Sequence, residues 1–158
     1  MPAGTGALAR RKPDEPAGLP CYPCAVIPSS WTPVPRPSDG ERVGYLVPDG
    51  ADGSVVPTTL VGRPLAPATG RVDAVALLVE RGLRSLDRRW WCRLPHTLSP
   101  GRVDASVPPA GWEWRPVVVV ETSPAGCTVR PEWPAPEELT GRAALPVPVG
   151  DLLREDPP

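Results

Sequence analysis

Twenty-six prolines in 158 residues set the terms on which this chain can fold. Each proline fixes its own φ, removes a backbone donor and pushes the preceding residue out of the helical region. Helices must therefore fit between prolines, and strands that contain one belong at sheet edges. The longest proline-free window, 27 residues between Pro67 and Pro95, is the one place with room for a substantial helix. Within it Val72, Val75, Leu78, Val79, Gly82 and Leu86 recur at helical spacing, while Arg81, Arg84 and Asp87 lie off that stripe. Thr69 can cap such a helix, and Arg84, Arg88 and Arg89 fall where cations complement a helix C-terminus.

The remaining segments alternate or run apolar over short stretches. RVGYLV and VVPTTLVG, linked by the turn-rich PDGADGS, read as a hairpin, with Pro57 placing the second strand toward an edge. WEWRPVVVVETSPAGCTVRPEW reads as a second hairpin, with SPAG as its turn and Val118 and Val119 in a central strand buried on both faces. LPVPV is a further edge strand by its β-branched content, and GDLLRE has room for at most one helical turn. These elements predict an α+β fold in which one amphipathic helix packs on a mostly antiparallel sheet of about five strands.

Three segments follow from the composition. Residues 1–39 hold nine prolines and no periodicity, so they form an extended or disordered arm unless captured, with residues 1–18 lacking regular structure. The island CAVIPSSW, with Val26, Ile27 and Trp31, is apolar enough to lie across the domain. Residues 40–150 form the small α+β domain and residues 151–158 a C-terminal tail.

The chain has no Phe, Asn or Gln and only one Lys, one Ile and one Met against 16 Arg. This is the signature of a high-GC bacterial genome, so arginine richness reports mutational bias before it reports chemistry. A net charge of −1 provides no whole-molecule attraction for nucleic acid or anionic membrane. Charge is nonetheless uneven. Arg81, Arg84, Arg88, Arg89 and Arg93 make a basic segment, and Glu132, Glu137, Glu138, Asp151, Glu155 and Asp156 make the C-terminal part acidic, a pairing that predicts intramolecular contact or self-association. No apolar run is long enough to span a membrane, and the N-terminus lacks an apolar stretch following its charges, so no membrane partner and a cytoplasmic location are expected. Its cysteines would then be reduced thiols or metal ligands.

Catalytic patterns are sparse. His96 is the sole histidine, no nucleophile elbow, P-loop or dinucleotide fingerprint occurs, and Asp49 and Asp52 lack the spacing of a calcium loop. Glu137 and Glu138, adjacent and so divergent, read as solvating groups. The chain is therefore expected not to be an enzyme. CYPC carries Cys21 and Cys24, but AVIPSSWTP after it cannot form the helix that a redox pair needs. A zinc site would need two more ligands, which Cys92 and His96 offer, whereas Cys127 reads as a core residue.

RRWWCRLPH, Arg88 to His96, concentrates two tryptophans and three arginines. Alternation places Trp90, Cys92 and Leu94 on one face and Trp91 and Arg93 on the other. With the first face in the core, Arg89, Trp91 and Arg93 become the candidate contact residues, of types enriched at protein interfaces. The sequence thus reads as a non-enzymatic protein-interaction module, an accessory or adaptor component of a larger bacterial assembly. The alternative is a zinc-stabilised nucleic-acid-binding protein, with Cys21, Cys24, Cys92 and His96 as ligands and tryptophans that stack bases.

Overall fold

The computed structural model describes residues 27–50 and 52–158. The expected disorder of residues 1–18 and the thiols Cys21 and Cys24 fall outside them. The fold is α+β, with one α-helix and two sheets of three and six strands among the described residues. Of these, the six-stranded sheet is close to the expected sheet of about five strands, and the three-stranded sheet is an addition to it.

The first sheet has the order β1 (Thr32–Pro35), β2 (Arg42–Asp49), β3 (Ser54–Thr58) and is antiparallel throughout. β1 lies within the segment set apart as an arm. Its prolines, Pro33 and Pro35, sit on an outer strand, where a missing donor costs nothing in the ladder. Helix α1 (Arg71–Arg81) packs on this sheet, burying Ala74 and Leu78 against Val34, Val43, Leu46 and Val55. Gly82 ends the helix where backbone approaches backbone: a Cβ there would lie 2.1 Å from the Val43 carbonyl oxygen. Trp31 tilts against Tyr45 at 5.7 Å, and Ile27 reaches the larger core of the second sheet.

The second sheet has the order β5 (Gly101–Asp104), β8 (Gly141–Leu145), β7 (Gly126–Pro131), β6 (Glu113–Ser123), β4 (Trp90–Leu94), β9 (Leu153–Arg154). Only β5 and β8 run parallel. The inward side chains of β4, β6, β7, β8 and β9, joined by Ala105 just past β5, form one cluster together with Val61, Val147 and Val149. Residues beyond both edge strands meet in this cluster, so the sheet curls around its own inner face. The two sheets are tied by Val149 N–H donating to the Val61 carbonyl at 3.0 Å and by Gly62 lying against Pro148, which follows a cis peptide bond.

Several local expectations are corrected. Thr69 does not cap the helix; it exchanges backbone hydrogen bonds with Val55, and Gly70 takes the cap position. Val72 is 82% exposed because the buried stripe runs through Ala74 and Leu78. The helix stops at Arg81, which leaves Arg84, Arg88 and Arg89 beyond it. In β6 the fully buried valine is Val117, with Val118 and Val119 half-buried and Val120 48% exposed, since a bulge after Val119 turns the strand out of register. LPVPV is not a strand. The strand is GRAAL, which shares only Leu145 with it, and Val147 and Val149 are core residues of the segment that follows.

Glu138 corrects the reading of Glu137 and Glu138 as solvating groups. It is 2% exposed, and its carboxylate accepts two bonds from Arg115 at 2.8 and 2.9 Å and backbone N–H bonds from Leu98 at 2.7 Å and Ala135 at 3.0 Å. Arg115 also donates to the Pro95 and His96 carbonyls. One ion pair thereby closes the loops after β4 and β7 over one end of the curled sheet. Those donors, Arg115 first, hold the Glu138 carboxyl down at about 2.

Candidate interaction face

The face of the second sheet turned away from the core carries the Trp/Arg stretch. Register fixes its membership. Trp90, Cys92 and Leu94 are at most 1% exposed, so Trp91 and Arg93 point outward. Across the ladder Trp91 is opposite Pro116 and Arg93 is opposite Trp114, while on the other side Trp91 is opposite Arg154. Directly opposed residues share a face, so Arg154, Trp91, Arg93, Trp114 and Pro116 form one surface over three strands. The same rule extends it through Val118 and Arg130 to Thr128, whose hydroxyl accepts from Arg102 at 2.8 Å, and to Arg142 on β8.

The surface is laced by guanidinium groups. Arg154 lies over the Trp114 ring at 4.6 Å and Arg89 over the Trp133 ring at the same distance. Arg93 reaches back to the carbonyls of Pro109, Ala110 and Trp112 at 3.1 to 3.4 Å and so anchors the loop between β5 and β6. Of the residues predicted for contact, Trp91 and Arg93 lie on this face. Arg89 sits at its border, engaged with Glu132 at 2.5 Å, and the neighbouring Arg88 meets Glu155 at 2.5 Å. The basic segment and the acidic C-terminal part are therefore joined within one chain.

Charge on the face is not balanced in the same way. By the same register rule two carboxylates share the face, Glu121 opposite Thr128 and Asp104 opposite Ala144, but neither forms an ion pair with its arginines among the described residues. Arg93, Arg102, Arg130, Arg142 and Arg154 enter no ion pair among the described residues, nor do Arg42, Arg63, Arg71 and Arg84 elsewhere, whereas Arg36, Arg81, Arg88, Arg89 and Arg115 each do; what distinguishes the first five is that they share one face. Their donors are partly taken by carbonyls and a hydroxyl, which satisfy hydrogen bonds without cancelling charge.

A cavity of about 250 Å³ opens beside this face at the seam where the sheet's two edges approach. Ala105 and Pro108 contribute from beyond β5, Asp151 and Leu152 from before β9, and Arg93 and Trp114 from the face itself. Its walls are apolar except for Arg93 and Asp151. Sequence reasoning missed this notch and Arg154 because β9 is two residues long and gives no strand signal, and it missed Trp114 because only the pairing of β6 with β4 sets that ring opposite Arg93.

The structure does not bring Cys92 and His96 together. Cys92 is 1% exposed in the core, whereas the His96 side chain is 90% exposed and lies 3.8 Å from Glu113. Burial pushes the Cys92 and Cys127 thiols up to about 12. Among the described residues no three His, Cys, Asp or Glu side chains are grouped to hold a metal ion. No family model, curated protein or solved structure matches the chain.

Proposed function

We propose that this protein is a non-enzymatic protein-interaction module, an accessory or adaptor component of a larger bacterial assembly, that binds its partner through the outer face of the second sheet. The observation that carries the reading is the five arginines on that face with no carboxylate partner, set around half-buried Trp91 and Trp114. Tryptophan and arginine are the side chains that most often dominate protein interfaces, and a surface that already excludes part of the water from its aromatics loses less on docking. Among the described residues the buried Cys92 and Cys127 thiols have their pKa values raised to about 12, and the buried Glu138 carboxylate is committed to Arg115.

The test is site-specific photo-crosslinking in the native host, with the crosslinking amino acid at position 91 and, as control, at the exposed position 72 on the helix. One protein species captured from position 91, missing from position 72 and lost when Arg154→Glu is added, is the expected result. Equal capture from both positions would overturn the reading. Crosslinks to nucleic acid from position 91 would replace it with the alternative of a nucleic-acid-binding protein.

A further inference from the structure

The partner's chemistry follows from the same surface, and this inference rests on the interaction-module reading. We propose that the face binds an extended, acidic protein segment that inserts one apolar side chain into the notch at the seam of the sheet. Three observations define the occupant.

The first is charge. Arg102, Arg142 and Arg130 lie on three successive strands of one face, with Arg154 on the same face beyond two intervening strands, and none enters an ion pair among the described residues, while Glu132 at the border is already held by Arg89. A partner that brings carboxylates to this row forms charge-assisted bonds which the protein itself leaves unmade. Strands stand about 4.8 Å apart, so the row extends over a distance that several residues of extended peptide span.

The second is the notch. Its volume of about 250 Å³ is below the range of sites that enclose small-molecule ligands, and it fits a single side chain. Ala105, Pro108, Leu152 and Trp114 give it apolar walls, and Arg93 on its rim also belongs to the face. An apolar anchor and the flanking carboxylates therefore engage one continuous surface.

The third separates a peptide from a nucleic-acid strand. Stacking of successive bases needs several open aromatic faces, but Arg154 already lies over Trp114 at 4.6 Å, which leaves Trp91 as the one tryptophan of the sheet face with no guanidinium over its ring among the described residues. Arg93 spends its donors on the carbonyls of one loop. What remains is unneutralised charge beside an apolar notch, which suits carboxylates around a Leu-type side chain better than successive bases.

The test is fluorescence anisotropy on the full chain with labelled peptides EEELEEE, EEEAEEE and KKKLKKK and a labelled oligothymidine. EEELEEE is expected to bind with an affinity that falls as salt rises, EEEAEEE at least about fivefold more weakly, and KKKLKKK not at all. Arg130→Glu with Arg154→Glu should abolish binding without shifting the melting temperature by more than a few degrees. Ala105→Leu, which fills the notch from its wall, should remove the preference for Leu over Ala; Pro108→Leu, nearer the rim, provides a second filling variant if Ala105→Leu fails to fold. Equal binding of the Leu and Ala peptides, or of the acidic and basic ones, would overturn the proposal. So would oligothymidine binding tighter than EEELEEE. Failure of EEELEEE to bind, with a protein still crosslinked from position 91, would sink this inference and leave the interaction-module reading standing; loss of that crosslink would remove both.

Discussion

Arg115 and Glu138, 23 residues apart in sequence, meet in a two-pronged ion pair at 2.8 and 2.9 Å, with Glu138 only 2% exposed. Removing Glu138 leaves the Arg115 guanidinium, 18% exposed, without its carboxylate and also takes the acceptor from the backbone N–H groups of Leu98 and Ala135. Glu138→Ala is therefore expected to destabilise the fold by about 3 to 5 kcal/mol, whereas Glu137→Ala, one residue away and exposed, should change it by less than about 0.5 kcal/mol. Denaturant unfolding of both variants measures the difference; equal values would mean the pair holds nothing.

The same pair predicts an acid transition. Glu138 is depressed from 4.5 to about 2 in the folded protein, chiefly by Arg115. A carboxyl with a lowered folded pKa contributes stability that is complete above its unfolded value and disappears as pH falls toward the folded one. Stability should thus decline as pH drops from about 4.5 to about 2, and the decline should be smaller in Glu138→Gln. An identical acid limb in the variant would assign the loss to other carboxylates.

Much of this architecture is legible in the sequence where periodicity and proline placement speak together. The helix falls inside the long proline-free window, and β4 alternates along Trp90, Trp91, Cys92, Arg93 and Leu94 as its side chains require. What escapes is carried by long-range neighbours. GRAAL forms β8 although glycine and alanine are weak strand formers, because Ala143 and Leu145 complete the core opposite Val129 and Cys127. Glu138 reads as a surface charge until Arg115 is brought to it. The interaction face is half visible: Trp91 and Arg93 follow from alternation, but Arg154 joins them only because a two-residue strand docks on β4.

Cys92 and Cys127 should be silent toward thiol reagents. Both are buried, with pKa values pushed up to about 12 by desolvation. In a Cys21→Ser, Cys24→Ser background, a disulfide-exchange reagent at pH 8 is expected to find almost no reactive thiol in the native protein and two after unfolding. Because the unfolded thiols titrate near 9, their contribution to stability should also be lost as pH rises from about 9 to about 12. Fast reaction of the native protein would show that these thiols are not buried as described.

The bulge in β6 makes neighbouring valines unequal. Val117 is fully buried opposite Trp90, while Val120 is 48% exposed. Val117→Asp would place an unpaired carboxylate in the core and should abolish soluble expression, at a cost of several kcal/mol. Val120→Asp should express and melt within a few degrees of the parent. If both variants behave alike, the register after Val119 is wrong.

Trp90 and Trp91 should behave oppositely although they are adjacent. Trp90 has no exposed surface, contacts Val117 across the ladder and lies in the cluster with Cys92 and Leu153. Trp90→Ala would leave a cavity costing about 3 to 5 kcal/mol, a fall in melting temperature of roughly 10 °C or more for a chain of this size. Trp91 lies on the outer face between Pro116 and Arg154, where the side chain is only half-buried. Trp91→Ala removes no core volume, so it should cost about 1 kcal/mol or less while weakening partner binding by about 2 kcal/mol or more. Thermal melts and crosslinking from position 114, run on both variants, separate the two effects. Equal destabilisation by the two substitutions would mean that something covers the outer face as tightly as the core covers the inner one, and the interaction site would have to be sought elsewhere on the molecule.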